Sequence, residues 1–143
     1  MSADSSTKAM KRFQKYLKEA EENQNPIAYY NLGILYSRGE ENVVEQDKEK
    51  AIEYYSKASE LGNVKAQFNL ALIYSLGDGV AQNKQKAVEL YTKAAQQGSS
   101  KAQTNLGLMY AQGDGVEQNY ELAIDLLSKA ASKDDPEAQF NLG

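Results

Sequence analysis

Ala66-Gln67-Phe68-Asn69-Leu70 returns 36 residues later as Ala102-Gln103-Thr104-Asn105-Leu106, and after 36 more as Ala138-Gln139-Phe140-Asn141-Leu142. An earlier copy, Ala28-Tyr29-Tyr30-Asn31-Leu32-Gly33, lies 38 residues before Ala66. The two additional residues fall where Arg38-Gly39-Glu40-Glu41-Asn42-Val43-Val44 replaces the tighter Gly77-Asp78-Gly79-Val80 and Gly113-Asp114-Gly115-Val116. Self-similarity at a period of a few tens of residues marks an architecture of stacked units. A length change confined to one turn is what a helix–turn–helix unit tolerates.

Each unit reads as two helices, A and B. Helix A is predicted to open at Asn25, Asn63, Ser99 and Asp135, whose side chains can accept hydrogen bonds from exposed backbone N–H groups. Pro26 and Pro136 stand at the first helical position, where a missing N–H costs nothing. Helix B is predicted to open at Asp47, Asn83 and Asn119. Its apolar stripe follows i, i+3, i+4, i+7 as Ala51-Tyr54-Tyr55-Ala58, Ala87-Leu90-Tyr91-Ala94 and Ala123-Leu126-Leu127-Ala130. Gly62 and Gly98 are expected to end two of these helices in the left-handed conformation. The same stripe appears ahead of the first unit as Phe13, Tyr16, Leu17 and Ala20, predicting a helix B without its A that caps the array. The expected organisation is a single all-α solenoid. A tail and capping helix occupy residues 1–24, repeats occupy 25–62, 63–98 and 99–134, and a fourth, truncated repeat begins at 135–143.

Composition excludes much chemistry. The 143 residues contain neither Cys nor His, which removes disulfides, thiol nucleophiles, imidazole bases and the common zinc sites. Sixteen Lys+Arg against twenty Asp+Glu give a net charge of −4, a poor balance for neutralising nucleic-acid phosphates. No apolar run approaches the ~18 residues of a membrane span. The first residues, MSADSSTKAMKRFQ, lack an apolar core of the secretory kind. Cytoplasmic residence is therefore expected. The Gly-Asp-Gly-Val turns have neither the glycine array and Lys-Ser/Thr of a phosphate loop nor the alternating carboxylates of a calcium loop. They read as turns in which glycine supplies positive φ and valine plugs the gap. Adjacent carboxylates such as Glu21-Glu22, Glu40-Glu41 and Asp134-Asp135 have no nucleophile or metal ligand nearby in sequence. No enzyme activity and no cofactor or metal is expected.

The pattern A-x-x-N-L-G-x-x-Y-x-x-G-D-G-V followed by K-A-x-x-x-Y-x-K-A-A-x-x-G resembles the Sel-one-like repeat, a branch of the tetratricopeptide-like α-solenoids. It stands almost complete over 66–98 and 102–131, degenerate over 28–62, and only begins at Ala138. The resemblance implies right-handed superhelical stacking of antiparallel helix pairs and an adaptor or scaffold role, with helix A lining the concave face. Some bacterial relatives bridge helices through paired cysteines, which are absent from this chain.

The expected function is thus non-enzymatic binding of a protein or peptide partner on the helix-A surface. The alternative is a structural or self-assembling subunit that stacks through its repeat ends. Neither nucleic acid nor a membrane is an expected partner. Candidate contact residues are those that vary between repeats on helix A, namely Tyr29, Tyr30, Arg38, Gln67, Phe68 and Thr104. To these is added the ladder Asn31, Asn69, Asn105 and Asn141, whose amides either grip a ligand or bond a neighbouring repeat. Lys8, Lys11, Arg12, Lys15 and Lys18 cluster on the first helix opposite Met10, Phe13 and Leu17. That pattern fits a cap with a solvated basic face, or a helix that docks on an acidic surface.

Overall fold

Asparagine, aspartate and serine side chains start the helices. Asn25 accepts a hydrogen bond from the Ile27 N–H at 3.0 Å, Asp47 from Lys50 at 3.0 Å and Asn63 from Ala66 at 2.8 Å. Asn83 does the same for Lys86 at 3.0 Å, Ser99 for Ala102 at 3.2 Å and Asn119 for Leu122 at 3.1 Å. Each satisfies one of the donors that a helix N-terminus leaves open. Asn119→Ala is expected to destabilise the chain by about 1 kcal/mol, the usual worth of such a cap. A thermal melt followed by circular dichroism checks it, and an unchanged midpoint refutes it.

The structure, a computed structural model, describes residues 3–133. Among these there are seven helices: α1 (Ala3–Asn23), α2 (Pro26–Arg38), α3 (Lys48–Glu60), α4 (Val64–Leu76), α5 (Lys84–Gln96), α6 (Ser100–Gln112) and α7 (Tyr120–Ala131). Helices α2, α4 and α6 are the A helices; α3, α5 and α7 are the B helices. Extended pairing among the described residues is limited to an isolated bridge between Glu40 and Val44. Expectations that fall on Asp134, Asp135, Pro136, Ala138 and Asn141 lie outside the described residues.

The chain divides into two compact units at Ala66/Gln67. In the first, α2 packs against both α1 and α3. Ala9, Ala20, Ala28, Leu32, Ala51, Tyr55 and Ala58 are buried there, and the Phe13 ring meets Tyr36 edge-on at 6.0 Å. In the second, α6 packs against both α5 and α7. The stripes predicted for α5 and α7 are buried in full, from Ala87 to Ala94 and from Ala123 to Ala130. On α3, Tyr54 departs from its stripe and is half-buried.

Both ends of each A–B turn are closed by the same bonds. The N–H of Asp47, Asn83 and Asn119 donates to the carbonyls of Tyr36, Tyr74 and Tyr110 at 2.8, 2.8 and 2.9 Å. One residue earlier, the side-chain amides of Gln46, Gln82 and Gln118 donate to the carbonyls of Ser37, Ser75 and Ala111 at 2.9, 2.8 and 2.9 Å. Between these clamps the first turn carries its two additional residues, with Asn42 at φ +63° where the other turns place Gly79 (φ +77°) and Gly115 (φ +75°).

Candidate functional site

Helices α2 and α6 each pack against two neighbouring helices and so bury more than one stripe. Tyr29 is 5% exposed, Gln67 3% and Thr104 1%. The Tyr29 ring lies 6.2 Å from Tyr54, with the Lys57 ammonium 5.6 Å above it. The Gln67 Oε1 accepts from the Gln97 amide at 2.8 Å, and the Thr104 hydroxyl donates to the Ser100 carbonyl at 2.9 Å. These three residues are interior parts of their units, and little of their surface is left for a partner.

The remaining candidates keep part of their surface. Tyr30, Asn31, Phe68, Asn69 and Asn105 are half-buried, and Arg38 is exposed at the end of α2. In the first unit the Tyr30 ring sits 5.9 Å from Tyr55; in the second, the Phe68 ring sits 5.7 Å from Tyr91. The two aromatics hold the same repeat position and rest on the same helix-B position. The Asn105 amide donates to the Tyr91 hydroxyl at 3.3 Å. This rung makes the contact of the structural alternative, from helix A to the helix B of the preceding repeat. Asn69 also has a partner.

Two phenols are displaced from their ordinary ionisation range. Burial, joined by Tyr36, Glu21, Glu53 and Tyr29, pushes the Tyr54 phenol up. Burial raises Tyr91 too, partly offset by the hydrogen bond from Asn105. Both rings are therefore held as neutral packing groups with a polar handle, the usual state of a buried tyrosine.

Two sets of contacts escaped the sequence reading. Helix-B lysines lie over helix-A tyrosines: Lys50 over Tyr36 at 5.1 Å, Lys57 over Tyr29, and Lys86 over Tyr74 at 5.7 Å. The acid that follows the first turn residue reaches back to an earlier helix, as Glu40 to Arg12 on α1 at 3.3 Å and Asp114 to Lys84 on α5 at 2.9 Å. The signals were present as lysines 36 residues apart (Lys50 and Lys86; Lys57, Lys93 and Lys129) and as an acid after Gly39, Gly77 and Gly113. On α1, Lys8, Lys11, Arg12, Lys15 and Lys18 are all exposed, while Phe13 and Leu17 are half-buried. Among the described residues, no group of three or more Asp or Glu side chains is placed to hold a metal ion. No described helix is long and apolar enough to cross a membrane.

Comparison with known proteins agrees with this architecture. The family model described as Sel1 repeat matches residues 26–63, 64–99 and 100–135. Among solved structures, c5321, a protective antigen of uropathogenic Escherichia coli strains with an SLR fold, superposes with a TM-score of 0.83 at 32% identity. The match covers 89% of this chain and 27% of that one. A Sel1 repeat protein from Oxalobacter formigenes gives 0.78 at 33% identity, covering 89% of this chain and 51% of that one. Cysteine rich protein B of Helicobacter pylori gives 0.67 at 26% identity and is covered to 90%, as is this chain. The chain thus spans about a quarter of the first of these relatives and half of the second. Among curated proteins no match is found.

Proposed function

The chain belongs to the Sel1 repeat family, whose members generally serve as protein-interaction scaffolds, and from that premise we propose a non-enzymatic scaffold. In this reading a peptide or protein partner is held on the A helices, each unit offering its own partly exposed ring. The supporting observation is the pair Tyr30 and Phe68. Each presents a half-buried ring, anchored on a helix-B tyrosine, in the same repeat position. Pre-ordered aromatics of this kind lose little freedom on binding and commonly anchor interfaces. Arg38, exposed at the end of α2, is the cation this reading adds to Tyr30 in the first unit. We also propose cytoplasmic residence, for which the cysteine-free composition is the support.

The test compares proteins retained from native extract by the chain, by a Tyr30→Ala/Phe68→Ala variant and by Arg38→Glu alone. A partner held by the original, lost by the double variant and weakened about tenfold by Arg38→Glu is the expected outcome, with helicity unchanged in both variants. Retention of the same set by all three forms refutes the helix-A assignment.

A second reading has its own observation. Tyr120 and Ile124, one turn apart on α7, are 63% and 58% exposed. This apolar pair favours stacking of one chain on another. Sedimentation velocity decides: a mass that rises with concentration and is restored to the monomer value by Ile124→Lys supports stacking, and a monomer throughout removes it.

A further inference from the structure

Between Lys8 and Lys18 the first helix carries five positive charges and no negative one. The other eleven basic residues stand against twenty acidic ones, so the chain outside this stretch is net negative. Lys8, Lys11, Lys15 and Lys18 follow a 3-4-3 spacing, which sets them in one row within an arc of about 80°. All four are exposed, and so is Arg12 beside the row. The apolar side of α1 is taken up by packing: Ala9 and Ala20 are buried and the Phe13 ring lies against Tyr36. A capping helix needs a polar outer side for solubility, and a mixture of signs supplies that. Helices α3, α5 and α7 each mix the two signs, as in Lys48-Glu49-Lys50. The row on α1 does not.

Part of this charge is met from within the chain, and by carboxylates. Arg12 holds Glu40 at 3.3 Å and Lys15 holds Glu19 at 3.9 Å. Lys8, Lys11 and Lys18 have no ion pair among the described residues. The row is about 15 Å long, a length that about five residues of extended chain would cover. It exceeds the ~8 Å over which physiological salt screens charge, so a ligand lying on the row responds to these lysines before the net charge of the chain. Larger polyanions meet opposition. The turn that Arg12 ties to α1 exposes Glu41 and Glu45, which repel an anionic surface reaching past the row. With its apolar side packed, the helix also cannot enter a bilayer as amphipathic anchors do.

We propose that this row is a docking surface for a short acidic segment of a partner protein, a run of about five carboxylate-bearing residues. Each lysine ammonium takes a carboxylate of the segment, as Arg12 takes Glu40. A single exposed ion pair is weak, so affinity comes from several made together. The surface goes beyond the helix-A reading and shares no residue with Tyr30, Phe68 or Arg38.

The experiment is an NMR titration of the whole chain with hexaglutamate and with hexaglutamine, both blocked at their ends, at about 50 and about 200 mM salt. Saturable shifts confined to the α1 amides are expected with hexaglutamate, weaker binding at the higher salt, and no shifts with hexaglutamine. Lys11→Glu/Lys15→Glu/Lys18→Glu should weaken binding about tenfold or more, with helicity unchanged. Lys65→Glu/Lys93→Glu/Lys101→Glu alters the net charge equally at exposed positions elsewhere and should weaken it less than about twofold. The Tyr30→Ala/Phe68→Ala chain should bind hexaglutamate as the original does, which keeps failure of the helix-A reading apart from failure of this one. Absence of saturable shifts, equal shifts with hexaglutamine, or equal weakening in the two triple variants overturns the row as a site. Tighter binding of phosphatidylserine vesicles or of a single-stranded oligonucleotide than of hexaglutamate overturns the choice of an acidic polypeptide.

Discussion

Tyr91→Ala is expected to destabilise the chain by about 3–5 kcal/mol, the usual cost of emptying a buried aromatic position. Tyr91 is 2% exposed, and its ring supports Phe68 while its hydroxyl accepts from Asn105. The substitution therefore opens a cavity, frees one side of Phe68 and leaves the Asn105 amide without its acceptor. Tyr91→Phe keeps the ring and loses the acceptor alone, so about 1 kcal/mol is expected. Urea denaturation of both variants separates packing from hydrogen bonding. Against a total stability of about 5–15 kcal/mol, the alanine variant should unfold at markedly lower urea concentration. A loss under ~1 kcal/mol for Tyr91→Ala contradicts the packing described.

Gly115→Ala is expected to cost about 2–4 kcal/mol, and Gly113→Ala, two residues away, about 1–2 kcal/mol. Both glycines have positive φ, +75° and +66°, so the conformational penalty is shared. Their surroundings differ. A Cβ on Gly115 would stand 2.5 Å from the Lys84 Cβ and 3.1 Å from its backbone carbonyl, atoms that cannot swing aside. On Gly113 the nearest atom is the Gln118 Cβ at 3.3 Å. The steric excess should appear as a lower melting temperature for the Gly115 variant, and equal melting temperatures would show that the turn yields. Because Asp114 pairs with Lys84 at the same place, Gly115→Ala should also weaken the contact of this turn with the start of α5.

What could be read in advance depended on which helix carried the residue. The B helices have one buried stripe, so Ala87-Leu90-Tyr91-Ala94 and Ala123-Leu126-Leu127-Ala130 were legible from periodicity and are buried. The caps were legible because Asn, Asp and Ser have a local reason to stand where they do. The first helix begins at Ala3, ahead of the Phe13 stripe that announced it, since polar residues extend a helix without adding to its stripe. On the A helices the same reasoning gives no inside. Pro26–Arg38 is apolar nearly all round and is packed on two sides, so Tyr29 and Tyr30 look alike in sequence. One is interior and the other half-exposed. Tyr29 and Gln103 hold one repeat position and both are buried, so a difference between repeats does not by itself mark a side chain that faces outward.

The clamped turn between α2 and α3 has a consequence for how such a chain can be altered. Its ends are tied by the Asp47–Tyr36 and Gln46–Ser37 bonds although ten residues lie between Tyr36 and Asp47, where eight lie between Tyr74 and Asn83 and between Tyr110 and Asn119, so the clamp is insulated from turn length. Foreign sequence spliced between Glu41 and Val43 would leave with both of its ends already brought together by the Glu40–Val44 bridge, with Glu40 still on Arg12 and the register of the flanking helices undisturbed. The turn is in effect an insertion port, at which a loop can be displayed or exchanged while the stack beneath it stays as it was.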